Sequence, residues 1–183
     1  MRRPPSPSGW RPPHCSGKMD HMPYRVTFVC TGNICRSPMA ETIFRAHAAE
    51  RDLDVEVDSS GLGPWHVGGP ADERTEATLR HAGYRSAHIA RQFEPEWFDR
   101  YDLIVALDAG HLAELRRMAP DGAAAAKVRR LREFDPVAAA DSDLDVPDPY
   151  YGGAAGFTEV LETVEAAIPG LLDEVRDRLK DHT

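Results

Sequence analysis

Hydrophobic positions recur along the chain with two different periods. Tyr24-Arg25-Val26-Thr27-Phe28-Val29 is a run of aromatic and β-branched residues that stops at the turn-rich stretch Cys30-Thr31-Gly32-Asn33, and it predicts a strand followed by a tight loop. Ser37-Pro38 predicts a helix start, with Ser37 as N-cap and Pro38 at the first helical position. Met39, Ile43 and Ala46 fall on one helical face, and the helix is expected to end near Asp52. Val55-Glu56-Val57 alternates as a second strand does. Strand, loop, helix, strand is a βαβ unit, whose strands run parallel. The alternation continues with a helix over 72–82 closed by Gly83, an apolar strand over Leu103-Ile104-Val105-Ala106-Leu107, a helix over 109–118 and a short strand over 128–131. A mostly helical stretch follows over 156–181, in which Pro169 is expected to force a kink or break. The expected fold is α/β: a single doubly wound domain with a four-stranded parallel sheet flanked by helices. Its first tight loop lies at the carboxyl edge, where such sheets bind ligands. Residues 135–149, bracketed by Phe134-Asp135-Pro136 and Asp145-Val146-Pro147-Asp148-Pro149, read as a long acidic loop of the kind that is functional or mobile.

Composition narrows the picture. A chain of 183 residues with 42% hydrophobic and 28% charged residues suits one globular domain. Its net charge of −8 argues against a general nucleic-acid or anionic-membrane binder. No run approaches the roughly 18 apolar residues of a membrane span. Residues 1–23 hold six of the 15 prolines and no hydrophobic period, so they predict a disordered extension ahead of a domain over 24–183. That extension carries Arg2, Arg3, Arg11 and Lys18 against Asp20, so the remaining residues carry 18 − 29 = −11, and any anion site in the body must be built locally. Three cysteines, Cys15, Cys30 and Cys35, are no secreted disulfide framework, and no apolar signal segment opens the chain, so a cytoplasmic location is expected.

The candidate chemistry lies in Cys30-Thr31-Gly32-Asn33-Ile34-Cys35-Arg36-Ser37. Backbone N–H groups between Thr31 and Arg36 can curl around an oxyanion while the helix dipole adds partial positive charge. Gly32 and Asn33 tolerate the unusual φ of such a curl. Arg36 supplies a planar fork matching two phosphoryl oxygens. Cys30 at the base sees the same field, which favours a nucleophilic thiolate. Ser37 can hold the sulfur with its hydroxyl and stabilise it later as a leaving group. Cys30 and Cys35 lack the second pair of ligands that would make a zinc site.

With these residues in place, the chain resembles the low-molecular-weight protein tyrosine phosphatases over roughly 24–180. Val29-Cys30-Thr31-Gly32-Asn33-Ile34-Cys35-Arg36-Ser37-Pro38 resembles the family signature, and Asp148-Pro149-Tyr150-Tyr151 its distal acid motif. The resemblance implies a cysteinyl-phosphate intermediate on Cys30, phosphate and transition-state binding by Arg36, and general acid then base catalysis by Asp148. It makes Asn33, Ser37, Ser59 and His88 braces of the loop and Trp65, Tyr150 and Tyr151 aromatic walls for the phosphoaryl ring. Asp108 matches a family aspartate without an assigned role. No metal or organic cofactor is implied. The implied partners are phosphotyrosine-containing proteins, with no nucleic acid and no membrane insertion; the oligomeric state is left open, a monomer being favoured.

Three rival functions follow from the same residues. In the related protein arginine phosphatases a Thr commonly stands where this chain has Ile34, and here the apolar Ile34 and the paired tyrosines favour an aromatic substrate. Thioredoxin-coupled arsenate reductases relay a disulfide to later cysteines, and none follows Cys35. An inactive phospho-binding module would lack the nucleophile or the acid, and both are present. Asp143 and Asp145 share the acidic stretch with Asp148 and are alternative acids. Cys35, five residues from Cys30, is expected to capture an oxidised Cys30 as a disulfide and so make inactivation by peroxide reversible.

Overall fold

The structure, a computed structural model, describes residues 22–181. The reading of residues 1–23 as a disordered extension therefore lies, Met22 and Pro23 apart, outside the described residues. The chain runs β1 (Tyr24–Cys30), α1 (Arg36–Glu50), β2 (Val55–Gly61), α2 (Glu73–His81), β3 (Leu103–Ala106), α3 (Ala109–Met118), α4 (Gly122–Ala126), β4 (Val128–Arg130), α5 (Pro136–Asp141) and α6 (Ala154–Asp181), with 3-10 turns at Pro95–Asp99 and Leu131–Phe134. The four strands form one parallel sheet in the order β2-β1-β3-β4.

Alternation along the strands divides the core between two faces. Val26 and Phe28 of β1, with Leu103 and Val105 of β3, pack on Met39, Ile43 and Phe44 of α1, Leu79 of α2 and the apolar stripe of α6. Val29, Ile104 and Ala106 point the other way, onto Leu115 of α3, Phe93 and Phe98. Both faces are covered, so β3 is apolar throughout and β1 is buried everywhere but at Arg25. The order reverses at β1 and β3, whose carboxyl ends carry Cys30 and Asp108. That is the switch point where a ligand crevice opens in such sheets.

Four expectations are corrected. Helix α1 begins at Arg36 with Cys35 as N-cap, not at Ser37-Pro38, because the Ser37 hydroxyl is engaged by Cys30 and Asn33 instead of capping. Strand β2 continues past Val57 to Gly61, which buries Ser59 and Ser60 beneath the first loop. The stretch over 135–149 is not all loop: Asp135 accepts from the amides of Val137 and Ala138, Pro136 opens α5, and Ser142 ends it in the left-handed region at φ 56°. Helix α6 runs unbroken through Pro169. Phe157, Val160 and Val164 before the proline, and Leu171, Leu172 and Val175 after it, bury into one core. Their burial, at roughly 1.5–3 kcal/mol each, outweighs the roughly 3 kcal/mol that an interior proline costs.

Candidate active site

The loop after β1 is held from outside by its own carbonyls. Cys30 O accepts from Leu62 N (2.9 Å), Thr31 O from Gly63 N (3.0 Å), and Ile34 O from Asp72 N (2.9 Å). Asn33 O accepts from Nε2 of His88 at 2.7 Å. A trans peptide points its N–H opposite its C=O, so the amides of Thr31, Gly32, Ile34 and Cys35 are turned to the inside of the curl. Gly61 makes this possible: a Cβ there would stand 2.9 Å from the loop's backbone atoms at Thr31, Gly32 and Asn33. Asn33 takes the left-handed conformation at φ 59°, which Asn tolerates better than most residues. No side chain caps the first turn of α1. The inward amides and the helix N-terminus thus form an anion cradle.

Buried side chains fix that curl. Asn33 Nδ2 donates to Ser37 Oγ (2.8 Å) and Ser59 Oγ (2.9 Å), and its Oδ1 accepts from Arg91 N (2.9 Å). Ser37 Oγ stands 2.9 Å from Cys30 Sγ. Since that oxygen already accepts from Asn33, its proton is free for the sulfur, the competing Ser60 carbonyl being farther at 3.4 Å. Ser59 in turn donates to Glu41, whose carboxylate also takes Arg45 and faces His88 at 3.6 Å. Burial works against the charge on Glu41, but the hydrogen bonds from His88, Ser59 and Arg45 outweigh it and hold its carboxyl below the usual range.

Arg36 is 4% exposed. Its Nη1 donates to Asp108 Oδ2 (2.9 Å) and to Val146 O (3.0 Å), and Nη2 lies 3.7 Å from Asp148 Oδ2. Asp108, left without a role by the sequence, orients the guanidinium and caps α3 through His111 N. Burial pushes the Asp108 carboxyl up, but the His111 amide and Arg36 hold it lower overall. His111 closes a second link: its Nε2 pairs with Thr31 Oγ1 at 2.9 Å, and its Nδ1 stands 3.2 Å from Asp108 Oδ1, off the line of a good hydrogen bond. Burial pulls its pKa down to about 4, so the ring is neutral at pH 7. Burial, with the charges of Asp72 and Cys30, pushes Cys35 up to about 12, which makes it a thiol.

A cavity of about 330 Å³ opens above the loop. Cys30, Thr31, Gly32, Ile34, Cys35, Arg36, Trp65, Asp148, Tyr150 and Tyr151 all line it, while Asn33, Ser37, Ser59 and His88 stand behind its wall. Trp65 is 70% exposed and folds back over Gly63, where a Cβ would overlap its ring. Arg74 straps the other rim, pairing with Asp72 and donating to the carbonyls of Tyr150 (3.0 Å) and Gly152 (3.1 Å). Asp143 and Asp145 are not on the cavity wall; each pairs with an arginine, Asp143 with Arg132 and Asp145 with Arg130. Glu41, His66, Arg74, Arg91 and His111 escaped the sequence reading. His66 lines the cavity beside Gly32, and its place next to Trp65 was the one available signal. The other four act through long-range contacts that no local spacing announces. Among the described residues no three His, Cys, Asp or Glu side chains converge on a metal-sized site, and no helix is long and apolar enough to cross a membrane.

Known proteins resemble this chain in sequence and in fold. A family model described as low molecular weight phosphotyrosine protein phosphatase matches residues 25–181. The chain is 62% identical to a low molecular weight protein-tyrosine-phosphatase of Streptomyces coelicolor over 161 residues, covering 87% of this chain and 98% of that one. It is 50% identical to low molecular weight protein-tyrosine phosphatase A of Mycobacterium tuberculosis over 159 residues, covering 86% and 94%. The crystal structure of YfkJ from Bacillus subtilis superposes with a TM-score of 0.78 at 39% identity, over 87% of this chain and 98% of that one. With the whole described domain matched in sequence and in fold, this chain belongs to the low molecular weight phosphotyrosine protein phosphatase family.

Proposed function

We propose that the protein hydrolyses phosphotyrosine in cytoplasmic proteins through a cysteinyl-phosphate on Cys30, and that residues 24–183 are the catalytic domain. The observation that carries this reading is one cavity lined at once by Cys30, Arg36, Asp148, Trp65 and Tyr150. The phosphoryl oxygens take the inward amides and Arg36, whose planar fork suits them. The thiolate of Cys30 attacks phosphorus, and the P–O bond to the tyrosine ring breaks as Asp148 gives its proton to the departing oxygen. Asp148, now a carboxylate, takes a proton from water as that water attacks the cysteinyl-phosphate. Inorganic phosphate forms, and the sulfur leaves as a thiolate steadied by the Ser37 hydroxyl. Trp65 and Tyr150 flank the aromatic ring, and Ile34 on the wall gives that ring an apolar neighbour.

Rapid quench with phosphotyrosine peptide, followed by mass analysis, should find phosphate on the peptide carrying Cys30 in the wild type and on none in Cys30→Ser. A serine hydroxyl stays protonated at neutral pH, so that variant should fold, bind phosphate and turn nothing over. Appreciable turnover by Cys30→Ser, or faster hydrolysis of phosphoarginine than of phosphotyrosine peptides, overturns the reading.

A further inference from the structure

Asp148 sits in a stretch without regular structure, yet it must meet a leaving oxygen to within tenths of an ångström. Three consecutive residues at the β3–α3 junction hold that stretch. Val146 N donates to Leu107 O at 2.8 Å, and Val146 itself is buried. Asp108 holds Arg36, which also grips Val146 O. Ala109 N, a first-turn amide of α3 with no partner inside its helix, donates to Asp145 Oδ1 at 2.8 Å. The same oxygen lies 3.3 Å from Arg130 Nη1, and Arg132 Nη1 donates to Asp145 O at 3.0 Å. Between Asp145 and Asp148 the chain has only Val146 and Pro147, and Pro149 follows. Two prolines flanking the acid fix their own φ and narrow the conformations of the residues before them.

We infer that Asp145 is a positioning residue for Asp148: by tying the acid stretch to the amide of Ala109 and to Arg130, it aims the Asp148 carboxyl at the leaving oxygen. It is not the acid itself, since it lies off the cavity wall and its Oδ1 is committed to α3. Its carboxylate also suits the positive end of the α3 dipole. Acid and phosphate-binding arginine therefore take their positions from one short junction. This inference rests on the reading of Asp148 as the general acid.

The test is a leaving-group series, phenyl phosphate against p-nitrophenyl phosphate, on Asp145→Ala, Asp145→Asn, Asp148→Ala and the double variant Asp145→Ala/Asp148→Ala. Asp145→Ala should lose about tenfold in kcat on phenyl phosphate and markedly less on p-nitrophenyl phosphate, because a misaimed acid matters where the leaving group needs its proton. Asp145→Asn, whose amide oxygen still accepts from Ala109 N, should recover at least half of that loss on a logarithmic scale. With Asp148 already removed, adding Asp145→Ala should change kcat by less than about twofold. Arg130→Met, which leaves the helix contact in place, should steepen the leaving-group dependence in the same direction, and it keeps the test decisive where Asp145→Ala fails to fold. Equal losses on both substrates, or an undiminished loss in the Asp148→Ala background, overturn the positioning role. If Asp148→Ala itself shows no steeper dependence, the acid reading falls and this inference with it. If Asp148→Ala steepens it while Asp145→Ala and Arg130→Met do not, only this inference falls.

Discussion

At the scale of single residues, the site separates groups that touch substrate from groups that hold those in place. In the proposed reaction Asp148 belongs to the first kind. Asp148→Ala should lose on the order of 10²–10⁴ in kcat on phosphotyrosine, whose phenolate leaves poorly without a proton, and visibly less on p-nitrophenyl phosphate. Steady-state rates on the two substrates check this, and equal losses would remove the acid role. Cys35 is of a different kind. Burial beside Asp72 and Cys30 keeps it a thiol, with a pKa of about 12, yet it lines the same cavity as Cys30. After peroxide converts Cys30 to the sulfenic acid, the wild type should regain more activity with dithiothreitol than Cys35→Ala. Because the attacking form is the thiolate, that protection should set in faster as pH rises towards 9 or so. Identical recovery of the two proteins would leave Cys35 as packing only. Cys30, Arg36, Asp148 and the loop residues were legible at this scale because one signature and one acid motif carry them in sequence order. Glu41 and His111 were not, since a half-buried Glu and a buried His look in sequence like any surface Glu or His.

At the scale of elements, helix α6 is where local rules and packing disagree. Pro169 predicted a kink or break, and the buried stripe on either side of it carried the helix through without a break. The residue after it shows how closely the helix is seated: a Cβ on Gly170 would stand 2.0 Å from the carbonyl oxygen of Phe134. Alanine improves an exposed helix over glycine by roughly 1 kcal/mol, whereas overpacking costs about 1–3 kcal/mol or more. Gly170→Ala should therefore lower stability in a urea titration, against the propensity scale, with the slope of the transition unchanged. A higher midpoint would mean that α6 lies farther from the 3-10 turn at Leu131–Phe134. The start of α1 shows the same override in reverse. Ser37-Pro38 is a sound local start signal, but the loop enlisted the serine hydroxyl for Cys30, and the helix began earlier without a side-chain cap.

At the scale of the whole molecule, the link Arg36–Asp108–His111–Thr31 couples site geometry to stability. Asp108, Arg36, Asp148 and Asp145 supply the charges around His111, and burial outweighs the carboxylates among them. Its pKa falls from the ordinary 6.5 to about 4 in the fold, so between those values the unfolded chain binds a proton that the native protein refuses. The native advantage is full above pH 6.5 and lost as pH falls towards 4, a change of about 3 kcal/mol for this group. The depressed carboxyl of Asp108 adds a loss of the same sign at lower pH. His111→Gln should lack the slope between about pH 6.5 and pH 4 in urea titrations, while the wild type shows it. Parallel slopes would mean that His111 is not held neutral.

Short-range chemistry is the part of this protein that the order of residues encodes. The period-2 and helical runs marked the four strands and α1, α2, α3 and α6, and the strand-helix-strand connection made the sheet parallel. The spacing of Cys30, Arg36 and Ser37 at a strand end marked the anion loop. Tertiary structure alone decided which groups meet across the fold. Asp148 reaches Arg36 from 112 positions away because Val146 docks on the end of β3. Asp108 and His111 reach the loop because β3 lies beside β1. Glu41 became a half-buried brace because β2 extended to carry Ser59 beneath α1. Such contacts join residues that are far apart in sequence, and their strength comes from burial and exact partner geometry, neither of which a local pattern of residue types contains.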